Sequence, residues 1–423
     1  MMDSKFDTVV LDIETDSLNA TKIHCICIQD YATGEQKDFI QEQGCEEFKK
    51  FHNQERKYIM HNGVSFDGPV LERLLGITIP LENIIDTLLI SQMINAHIDG
   101  GHSLKSWGNK LTKSGKLEFK DFDQYSEEML KYCQQDVHVT RKLMQHLAPK
   151  ITRFSTESVR MEHRIRRIID QQEKNGFYLN VNKAHDLLEE LKTKSEDLKK
   201  DLQTIFATIY TPRFHKTTGK PLKDHVDEFN PSSRKQIAER LQKKYNWVPT
   251  KTTPTGLPVI DEQVLKQLQY PEAKMIAEYL LYEKRVSQIK SWLKNVKDDS
   301  RVHGRVITLG CVTSRMSHYG PNMAQVPASY SPFGKECRSL WTIENPDKYC
   351  LVGSDASGLE LRCFAHYLQN PKFTEQVVDG DIHTYNQNII GLKDRPTAKT
   401  WVYAFIYGAG DAKLGQIVGG NTE

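Results

Sequence analysis

Residues 354–362 have the sequence Ser-Asp-Ala-Ser-Gly-Leu-Glu-Leu-Arg, and the rest of the chain is interpreted around this stretch. It follows the apolar residues 349–353, which predict a buried strand. Asp355 is therefore expected where a strand ends, with Glu360 and Arg362 in the first turns of the following helix. A single carboxylate at such a place either caps the helix or binds a metal ion for phosphoryl transfer. The choice depends on the rest of the chain.

Length and composition predict a globular protein with two or three domains. The chain has 423 residues, of which 38% are hydrophobic and 26% are charged. No stretch has the length of a membrane span, and the first residues lack the apolar region of a signal peptide, so we expect a cytoplasmic protein with no membrane partner. The eight cysteines contain no C-x-x-C pair, and Cys25 and Cys27 on one strand face favour packing over zinc.

The net charge of +2 conceals an uneven distribution. Residues 1–150 contain 17 Lys and Arg against 23 Asp and Glu, whereas the remainder contains 40 against 32. An acidic first part and a basic second part indicate separate domains, the second of which suits a polyanion. Solvated helix faces rich in lysine are the alternative explanation.

The first 150 residues begin with a predicted strand that carries two acidic side chains. Strands are predicted at residues 6–14, 22–29 and 35–39, followed by a helix near residues 45–52. This order predicts an α/β sheet. Asp12 and Glu14 are two residues apart, so both side chains lie on one face of the first strand. Divalent cations relieve the repulsion between such carboxylates, although acids scattered at an exposed strand end would give the same pattern.

Two further segments add to this carboxylate pair. Asp67 closes the segment 61–67 and is predicted at a helix start, and Tyr132 and Asp136 share one face of a later helix. Four carboxylates and a tyrosine hydroxyl are the groups that a two-metal phosphodiesterase needs. The metal ions hold the attacking water and the leaving oxygen on either side of phosphorus, and Tyr132 would orient that water.

The order D-x-E, N-x-x-x-F-D and Y-x-x-x-D resembles the 3′–5′ proofreading exonuclease domain, which has an RNase H-like fold. All five residues of that pattern are present in residues 1–150. Asp86 also lies near the active site in such domains, and we expect a structural or substrate-side role for it here. His102 and His138 are interpreted as solvated or capping residues rather than metal ligands.

Residues 151–300 are predicted to be mainly helical. Helices are predicted at residues 161–176, 182–209 and 273–296, with a solvated loop at 211–228. Two long helices fit an arm that holds an elongated molecule, although a simple helical spacer has the same periodicity. Basic side chains lie along the last of these helices and the strand after it. They suit contact with a nucleic-acid backbone, although a solvated helix face is the alternative. These residues are Lys284, Arg285, Lys290, Arg301, His303 and Arg305.

A helix near the end of the chain carries a regular stripe of cations and aromatic rings. Arg395, Lys399, Tyr403 and Tyr407 recur every four residues and therefore share one helix face. Two cations followed by two rings fit a triphosphate at one end and a base pair at the other. An amphipathic helix with extended cationic side chains is the alternative.

These segments resemble the polymerase domain of family A DNA polymerases, in particular the phage replicative branch. The matching patterns are T-S-R-M-S, P-N-M-A-Q-V-P, D-A-S-G-L-E-L-R, D-I-H-T and R-x-x-x-K-x-x-x-Y-x-x-x-Y-G. The resemblance implies that Asp355 binds both catalytic metal ions, with the carbonyl of Ala356 contributing. Metal ligands are thus expected in both halves of the chain: Asp12, Glu14, Asp67, Asp136, Asp355 and Ala356.

The same resemblance assigns residues to the incoming nucleotide and to DNA. The nucleotide-binding residues that it implies are Ala356, Glu360, His383, Arg395, Lys399, Tyr403 and Tyr407. His383 and the two cations would hold the triphosphate. Glu360 would close off the sugar 2′ position, Tyr403 would abut the sugar, and Tyr407 would stack by the templating base. Arg315 and Gln325 would contact duplex DNA.

Two features depart from the family pattern. No His-Asp-Glu sequence, which in the family supplies the second palm carboxylate, occurs in the 423 residues. The chain is then either the N-terminal part of a split or interrupted polymerase or a truncated gene product. Because the motifs present are intact, we expect a split or interrupted polymerase, completed by a separate C-terminal fragment. The segment 211–230 is also shorter than the basic insertion of phage relatives that recruit host thioredoxin, which argues against thioredoxin as a partner.

The expected fold class is α/β and α+β multidomain. It comprises an RNase H-like exonuclease domain (residues 1–150), a helical polymerase thumb (151–300) and a partial palm and fingers (301–423). The expected function is template-directed DNA polymerisation with proofreading in phage DNA replication, on primer–template DNA and dNTPs, with Mg²⁺ in two-metal sites. A stand-alone 3′–5′ exonuclease with a DNA-binding, polymerase-inactive second half is the first alternative. A non-catalytic DNA-binding protein is the second.

Overall fold

Strand β1 (Thr8–Thr15) is the central strand of a five-stranded sheet in the first part of the chain. The computed structural model describes residues 6–112 and 117–420. The other strands are β2 (Ile23–Asp30), β3 (Gln36–Ile40), β4 (Lys57–Met60) and β5 (Ile84–Asp86), in the order β3-β2-β1-β4-β5. The three strands β1–β3 pair antiparallel, whereas β4 and β5 continue from β1 in parallel. The predicted α/β sheet is confirmed.

Helices cover both faces of this sheet, which is why side chains on both faces of β1, β2 and β4 are buried. The helices are α1 (Gln41–Phe51), α2 (Asp67–Leu75), α3 (Thr87–Ile94), α4 (Leu104–Leu111) and α5 (Glu127–Ile151). Val9 and Leu11 of β1 share a core with α1 and α2, whereas Val10 packs against α5. Because side chains alternate along a strand, Asp12 and Glu14 lie on the α5 face.

A mainly helical region follows within the same compact unit. Its elements are α6 (Thr156–Asn175), β6 (Phe177–Tyr178), α7 (Val181–Ile205), β7 (Ile209–Phe214), β8 (Pro221–Asp227), α8 (Arg234–Tyr245), α9 (Glu262–Gln267) and α10 (Pro271–Asn295). The three predicted long helices are therefore present, and the first ends at Gly176, whose φ of 62° suits glycine.

Helices α7 and α10 run in opposite directions along each other. Leu187 of α7 shares a core with Ile289 of α10, whereas Leu202 shares one with Ala273. Between these cores the buried hydroxyl of Ser195 donates to Oε1 of Glu283 at 2.6 Å.

The prediction of a loop at residues 211–228 is wrong. Strands β7 and β8 pair there as an antiparallel hairpin, with Tyr210 opposite Val226 and Phe214 opposite Pro221. Residues 210–226 are all exposed, so the expected solvation is present but the irregular backbone is not. Strand pairing satisfies the backbone without needing an apolar face, which explains why hydrophobic periodicity did not reveal it.

The remaining elements of the first unit are short. They are β9 (Arg301–Val302), β10 (Arg305–Ile307), β11 (Ser317–Tyr319) and α11 (Gly334–Arg338). The predicted strand at residues 301–308 is thus two strands with different partners, because β9 pairs with β6 and β10 pairs with β11.

The chain divides into two compact units, Met1–Tyr349 and Cys350–Glu423. The second contains α12 (Leu359–Leu368), α13 (Pro371–Val378), α14 (Ile382–Ile390), α15 (Arg395–Ile406) and α16 (Asp411–Ile417). These helices pack through Leu361, Ala365, Val377, Ile382 and Val402.

The predicted buried strand at residues 349–353 is not formed. Leu351 and Val352 are exposed, and the backbone from residue 350 to 356 has no regular structure. A strand needs a hydrogen-bonding neighbour, and residues 350–420, the described part of the second unit, contain helices but no strand. An apolar run alone did not reveal this missing neighbour.

Candidate active sites

Asp12 and Glu14 project from β1 toward α5, and a cysteine of that helix lies between the sheet and the helix. One oxygen of each carboxylate and Sγ of Cys133 lie within 4.8 Å of one another. The Cys133 thiol points at Asp12, with Sγ 3.5 Å from its carbonyl oxygen and 3.6 Å from Oδ2. Burial raises the pKa of the Cys133 thiol well above its ordinary value, so the group stays protonated beside the carboxylates.

Asp67 is the first residue of α2, as predicted, and only 3% of its surface is exposed. Burial raises the pKa of this carboxyl to about 7, and the nearby carboxylate of Asp86 acts in the same direction. The amide of Ile13, between Asp12 and Glu14 on β1, lowers it. Asp67 therefore lies beside the β1 pair, in surroundings that disfavour a negative charge without a cation.

Asp86, for which a structural or a substrate-side role was expected, has a structural role. Its carboxylate is 1% exposed and accepts hydrogen bonds from the amides of Asn62 (3.0 Å), Val64 (3.1 Å) and Leu88 (2.9 Å). The first two amides belong to the loop that leads into Asp67. Asp86 thereby fixes the backbone that presents this carboxylate.

Tyr132 and Asp136 lie on α5, on either side of Cys133 along the helix. Asp136 is buried. The ring of Tyr132 is packed by Phe119 and Phe122, with ring centroids 5.8 and 6.2 Å away. These two phenylalanines restrict the position of the tyrosine hydroxyl.

His102 and His138, expected to be solvated or capping residues, are both half-buried. Both ring nitrogens of His102 have neighbours, Ser91 Oγ at 2.7 Å and the carbonyl of Ala96 at 3.1 Å. Burial lowers the pKa of His102 and of His138. Neither belongs to a group of close potential metal ligands in the described ranges, 6–112 and 117–420.

The donor set at the end of β1 suits a divalent cation. Its groups are carboxylates, which are the hard oxygen ligands that Mg²⁺ and similar ions prefer. They are held on rigid elements, and the raised pKa of Asp67 reflects negative charge and burial that a cation would offset. The carboxylates at the end of β1 therefore fit a divalent cation.

The second unit contains a cleft of about 540 Å³ that collects most of the predicted polymerase residues. Its walls include Asp355, His383, Arg395, Lys399 and Tyr403. The last three lie on α15, so the stripe predicted from their spacing faces the cleft. The donors for a metal ion here are the carboxylate of Asp355 and nearby backbone carbonyls, an oxygen set that also fits a divalent cation.

Arg395 is held at the cleft by a residue that sequence reasoning missed. Asp381 accepts from its Nε at 2.8 Å and from its Nη2 at 3.1 Å. Asp381 also caps α14, accepting from the amide of His383 at 3.1 Å and from the hydroxyl of Thr384 at 2.8 Å. Arg395 and Thr384 hold the pKa of Asp381 well below its usual range. Asp381 is the first residue of the D-I-H-T pattern, but the sequence alone did not connect it to Arg395.

His383 is buried in the cleft, with its ring centroid 5.9 Å from that of Tyr403. Burial lowers the pKa of His383, and the positive charges of Arg395 and Lys399 lower it further. Arg395 and Lys399 therefore place two positive charges close to His383, beside the carboxylates of Asp355 and Asp381 that line the same cleft.

Glu360 and Tyr407, 47 residues apart, contact each other. The hydroxyl of Tyr407 at the end of α15 donates to Oε1 of Glu360 in the first turn of α12, at 2.9 Å. Ala356 lies in the exposed segment directly before α12.

The two residues expected to contact DNA belong to the first unit. Arg315 lies between β10 and β11, and its carbonyl accepts from the amide of Gly310 at 3.1 Å. Gln325 ends a short 3₁₀ turn, and its carbonyl accepts from Nε2 of Gln288 on α10 at 3.0 Å. Their roles at DNA stay predictions.

Both halves of the chain match protein families. Residues 1–152 match the model for 3′–5′ exonucleases, and residues 188–423 match the model for DNA polymerase family A. The chain belongs to DNA polymerase family A and carries a 3′–5′ exonuclease domain. Proteins of these families generally use divalent metal ions.

Individual relatives agree with this assignment. The chain is 32% identical to the DNA-directed DNA polymerases of Escherichia phage T7 and Enterobacteria phage T3, over 98% of this chain and 77% of theirs. It is 24% identical to DNA polymerase I of Aquifex aeolicus (strain VF5), over 83% of this chain and 58% of that protein. The chain is accordingly a DNA-directed DNA polymerase with a 3′–5′ exonuclease domain, and it acts in DNA replication.

A solved structure shares the fold. The POL domain of Pol1 from M. smegmatis, in complex with DNA primer-template and dNTP, superposes with a TM-score of 0.72 at 16% identity, covering 98% of this chain and 70% of that one. No helix of the described residues is both long and apolar enough to cross a membrane.

Proposed function

We propose that the carboxylates at the end of β1 form a two-metal exonuclease centre that removes nucleotides from a DNA 3′ end. The observation that carries this proposal is the convergence of Asp12 and Glu14 within 4.8 Å, beside the buried Asp67. Asp136 on α5 supplies the fourth carboxylate. Mg²⁺ is the proposed ion, since oxygen ligands and phosphate favour it.

The protein groups have separate tasks in this centre. Asp12, Glu14, Asp67 and Asp136 would hold the cations, which supply charge stabilisation and a more acidic water when bound. The Tyr132 hydroxyl, positioned by Phe119 and Phe122, orients the attacking water toward phosphorus. Asp86 keeps the loop before Asp67 in place.

A double substitution tests the exonuclease centre. Asp12→Ala with Glu14→Ala removes two proposed ligands, and we expect at least a 100-fold loss of single-strand degradation. Asp7→Asn, at an exposed position just before β1, is the matched control and should retain full activity. Chelation should abolish the wild-type activity and Mg²⁺ should restore it. Unchanged degradation by the double variant would exclude this site.

For the polymerase centre, we propose that the cleft of the second unit binds the dNTP. Arg395, Lys399 and His383 hold the triphosphate, Tyr403 abuts the sugar and Tyr407 lies by the templating base. Glu360 excludes a 2′-hydroxyl. Asp355, with the Ala356 carbonyl, would hold the metal ions there. The cations of α15, together with Asp355 in one cleft, support this assignment.

In the family, the polymerase centre also uses a second carboxylate, which lies in a His-Asp-Glu sequence. These 423 residues contain no His-Asp-Glu sequence. We propose that primer extension needs this carboxylate from a further polypeptide segment, such as a separate C-terminal fragment. Primer extension by residues 1–423, with and without the downstream reading frame co-expressed, tests this. Extension by residues 1–423 alone would refute the requirement.

An exonuclease whose second half only binds DNA is the competing function. Strong exonuclease activity without primer extension under any co-expression would support this alternative.

The proposed division of labour follows the predicted domains. We assign residues 1–150 to the exonuclease, 151–300 to the thumb and 301–423 to part of the palm and fingers. The long antiparallel pair α7 and α10 supports the thumb assignment, and the sheet with its five helices supports the first domain. Arg315 and Gln325 would contact the duplex.

A further inference from the structure

Three buried cysteines meet between the sheet and helix α5. Cys25 and Cys27 lie on β2, and Cys133 lies on α5. Their three Sγ atoms all lie within 4.8 Å of one another, and none of the three residues is exposed to solvent. Sequence reasoning favoured packing over zinc for the first two, but it did not place a third thiol beside them. We call these three residues the thiol cluster.

Strand pairing places the thiol cluster beside the carboxylates of β1. In the antiparallel pairing of β1 with β2, Cys27 is opposite Asp12 and Cys25 is opposite Glu14. Cross-strand partners project from the same face of a sheet, so all four side chains face α5. Sγ of Cys133 also lies within 4.8 Å of an oxygen of each carboxylate. Thiols and carboxylates therefore form one continuous set of potential metal ligands.

The geometry of the thiol cluster suits a soft cation. A Zn²⁺–S bond is about 2.3 Å long, so three sulfurs at tetrahedral positions lie roughly 3.8 Å apart. Small adjustments of the side chains bring the cluster to that spacing. Oδ2 of Asp12, 3.6 Å from Sγ of Cys133, is placed to be the fourth ligand. Thiolates select soft ions, whereas Mg²⁺ prefers oxygen, so the two parts of the ligand set favour different cations.

We propose that the thiol cluster binds Zn²⁺ and that the bound ion inhibits the exonuclease by engaging Asp12. Each thiol that binds the ion releases its proton to solvent. Asp12 is half-buried and provides the route by which the ion reaches the buried sulfurs. Binding follows from the cluster alone, whereas inhibition rests on the proposed function, in which Asp12 holds Mg²⁺.

Plain packing of three small side chains is the competing explanation, since a buried cysteine behaves as a small hydrophobic residue. An apolar residue would pack equally well, but it would not place a ligand atom beside a carboxylate, as Cys133 does at Asp12. In residues 6–112 and 117–420, the other five cysteines join no group of close potential metal ligands. The arrangement of these three is therefore specific to this place in the fold.

A cobalt titration of the full chain tests the binding. Co²⁺ takes the place of Zn²⁺ and gives a sulfur-to-cobalt charge-transfer band only where a thiolate binds it. A phosphine reductant keeps the cysteines reduced without adding a competing thiol. Cys27→Ala and Cys133→Ala each remove one sulfur. Cys45→Ala is the matched control, because Cys45 is buried in the core on the other face of the sheet.

We expect the wild type and the Cys45 variant to show the band and to lose it when Zn²⁺ displaces Co²⁺. Both cluster variants should bind Co²⁺ more weakly and show a weaker band. Absence of the band in the wild type would overturn the proposal, as would an undiminished band in both cluster variants. Because the wild-type spectrum can overturn the proposal by itself, a variant that fails to fold does not leave it undecided.

Single-strand degradation in excess Mg²⁺, with and without one equivalent of Zn²⁺, tests the inhibition. Zn²⁺ should lower the wild-type rate at least about tenfold, which is the scale of effect when a metal site loses a supporting group. The Cys45 variant should be inhibited equally, whereas the rate of Cys133→Ala should be nearly independent of Zn²⁺.

Equal inhibition of the wild type and Cys133→Ala would overturn the inhibitory role of the thiol cluster. The cobalt band is read without DNA and without turnover. If the wild type fails to degrade single strands at all, the exonuclease assignment fails, and the band still decides whether the cluster binds the ion.

Discussion

The hydroxyl of Tyr407 donates a hydrogen bond to Oε1 of Glu360 at 2.9 Å. This contact joins the end of α15 to the start of α12 and restricts the position of the Glu360 carboxylate. If Glu360 excludes the ribose 2′-hydroxyl, its position matters as much as its charge.

Replacing Tyr407 by Phe should weaken sugar discrimination. The ring remains, but one hydrogen bond of about 1 kcal/mol is lost, so the ratio of kcat/KM for dNTP over rNTP should fall about fivefold. The ratio is measured in the assembly that extends primers. Tyr367→Phe on the exposed surface of α12 should leave it unchanged. Full discrimination by Tyr407→Phe would show that Glu360 is positioned by other contacts.

Removing the charge of Asp381 should strengthen triphosphate binding. The carboxylate now engages Arg395, so a triphosphate has to compete with it. Asp381→Asn keeps an N-cap residue on α14 but adds one net positive charge to the cleft, and we expect a roughly threefold gain in dNTP affinity at low salt. Calorimetric titration measures this gain. Weaker binding would mean that Asp381 mainly orients Arg395.

His383 should make nucleotide binding dependent on pH. Burial, with Arg395 and Lys399, lowers its pKa below 6.5 in the free protein, and a bound triphosphate opposes that effect. The complex then holds more protons than the free protein, so dNTP affinity should fall as pH rises from about 5.5 to 7.5. Titrations in buffers of different ionisation enthalpy measure the proton uptake.

His383→Gln should remove most of this pH dependence, whereas His366→Gln at an exposed position should retain it. An identical pH profile in the His383 variant would assign the proton uptake to another group.

Asp86 should be important for stability as well as for the exonuclease. Asp86→Ala leaves three amides without their acceptor, each at a cost of about 1 to 3 kcal/mol, so the free energy of unfolding should drop by at least about 3 kcal/mol. Asp86→Asn retains one acceptor oxygen and should cost less. Urea denaturation measures both. Equal stability of the Ala variant and the wild type would contradict the proposed bracing of this loop.

Local spacing predicted the parts of the sites that lie on one element. The two-residue spacing of Asp12 and Glu14 placed both on one strand face, and the four-residue spacing of Arg395, Lys399 and Tyr403 placed them on one helix face. These relationships follow from strand and helix geometry alone.

Contacts between distant segments could not be predicted in this way. The pairing of Asp381 with Arg395 depends on how α14 packs against α15, and the approach of Cys133 to Asp12 joins positions 121 residues apart. The hairpin at 209–227 has no apolar face to reveal it. Residues 349–353 are the opposite case. Their apolar sequence predicts a strand, but a strand also needs a neighbouring strand to pair with, and none forms there.

That exposed segment has a practical consequence for handling the protein. Leu351 and Val352 form part of a short apolar run whose backbone groups have no strand beside them in the described residues. Such a run can pair with the same run of another molecule. Residues 1–423 should therefore precipitate at lower concentrations than a variant in which this pairing is prevented. Val352→Lys, which places a charge in the run, should improve recovery during purification.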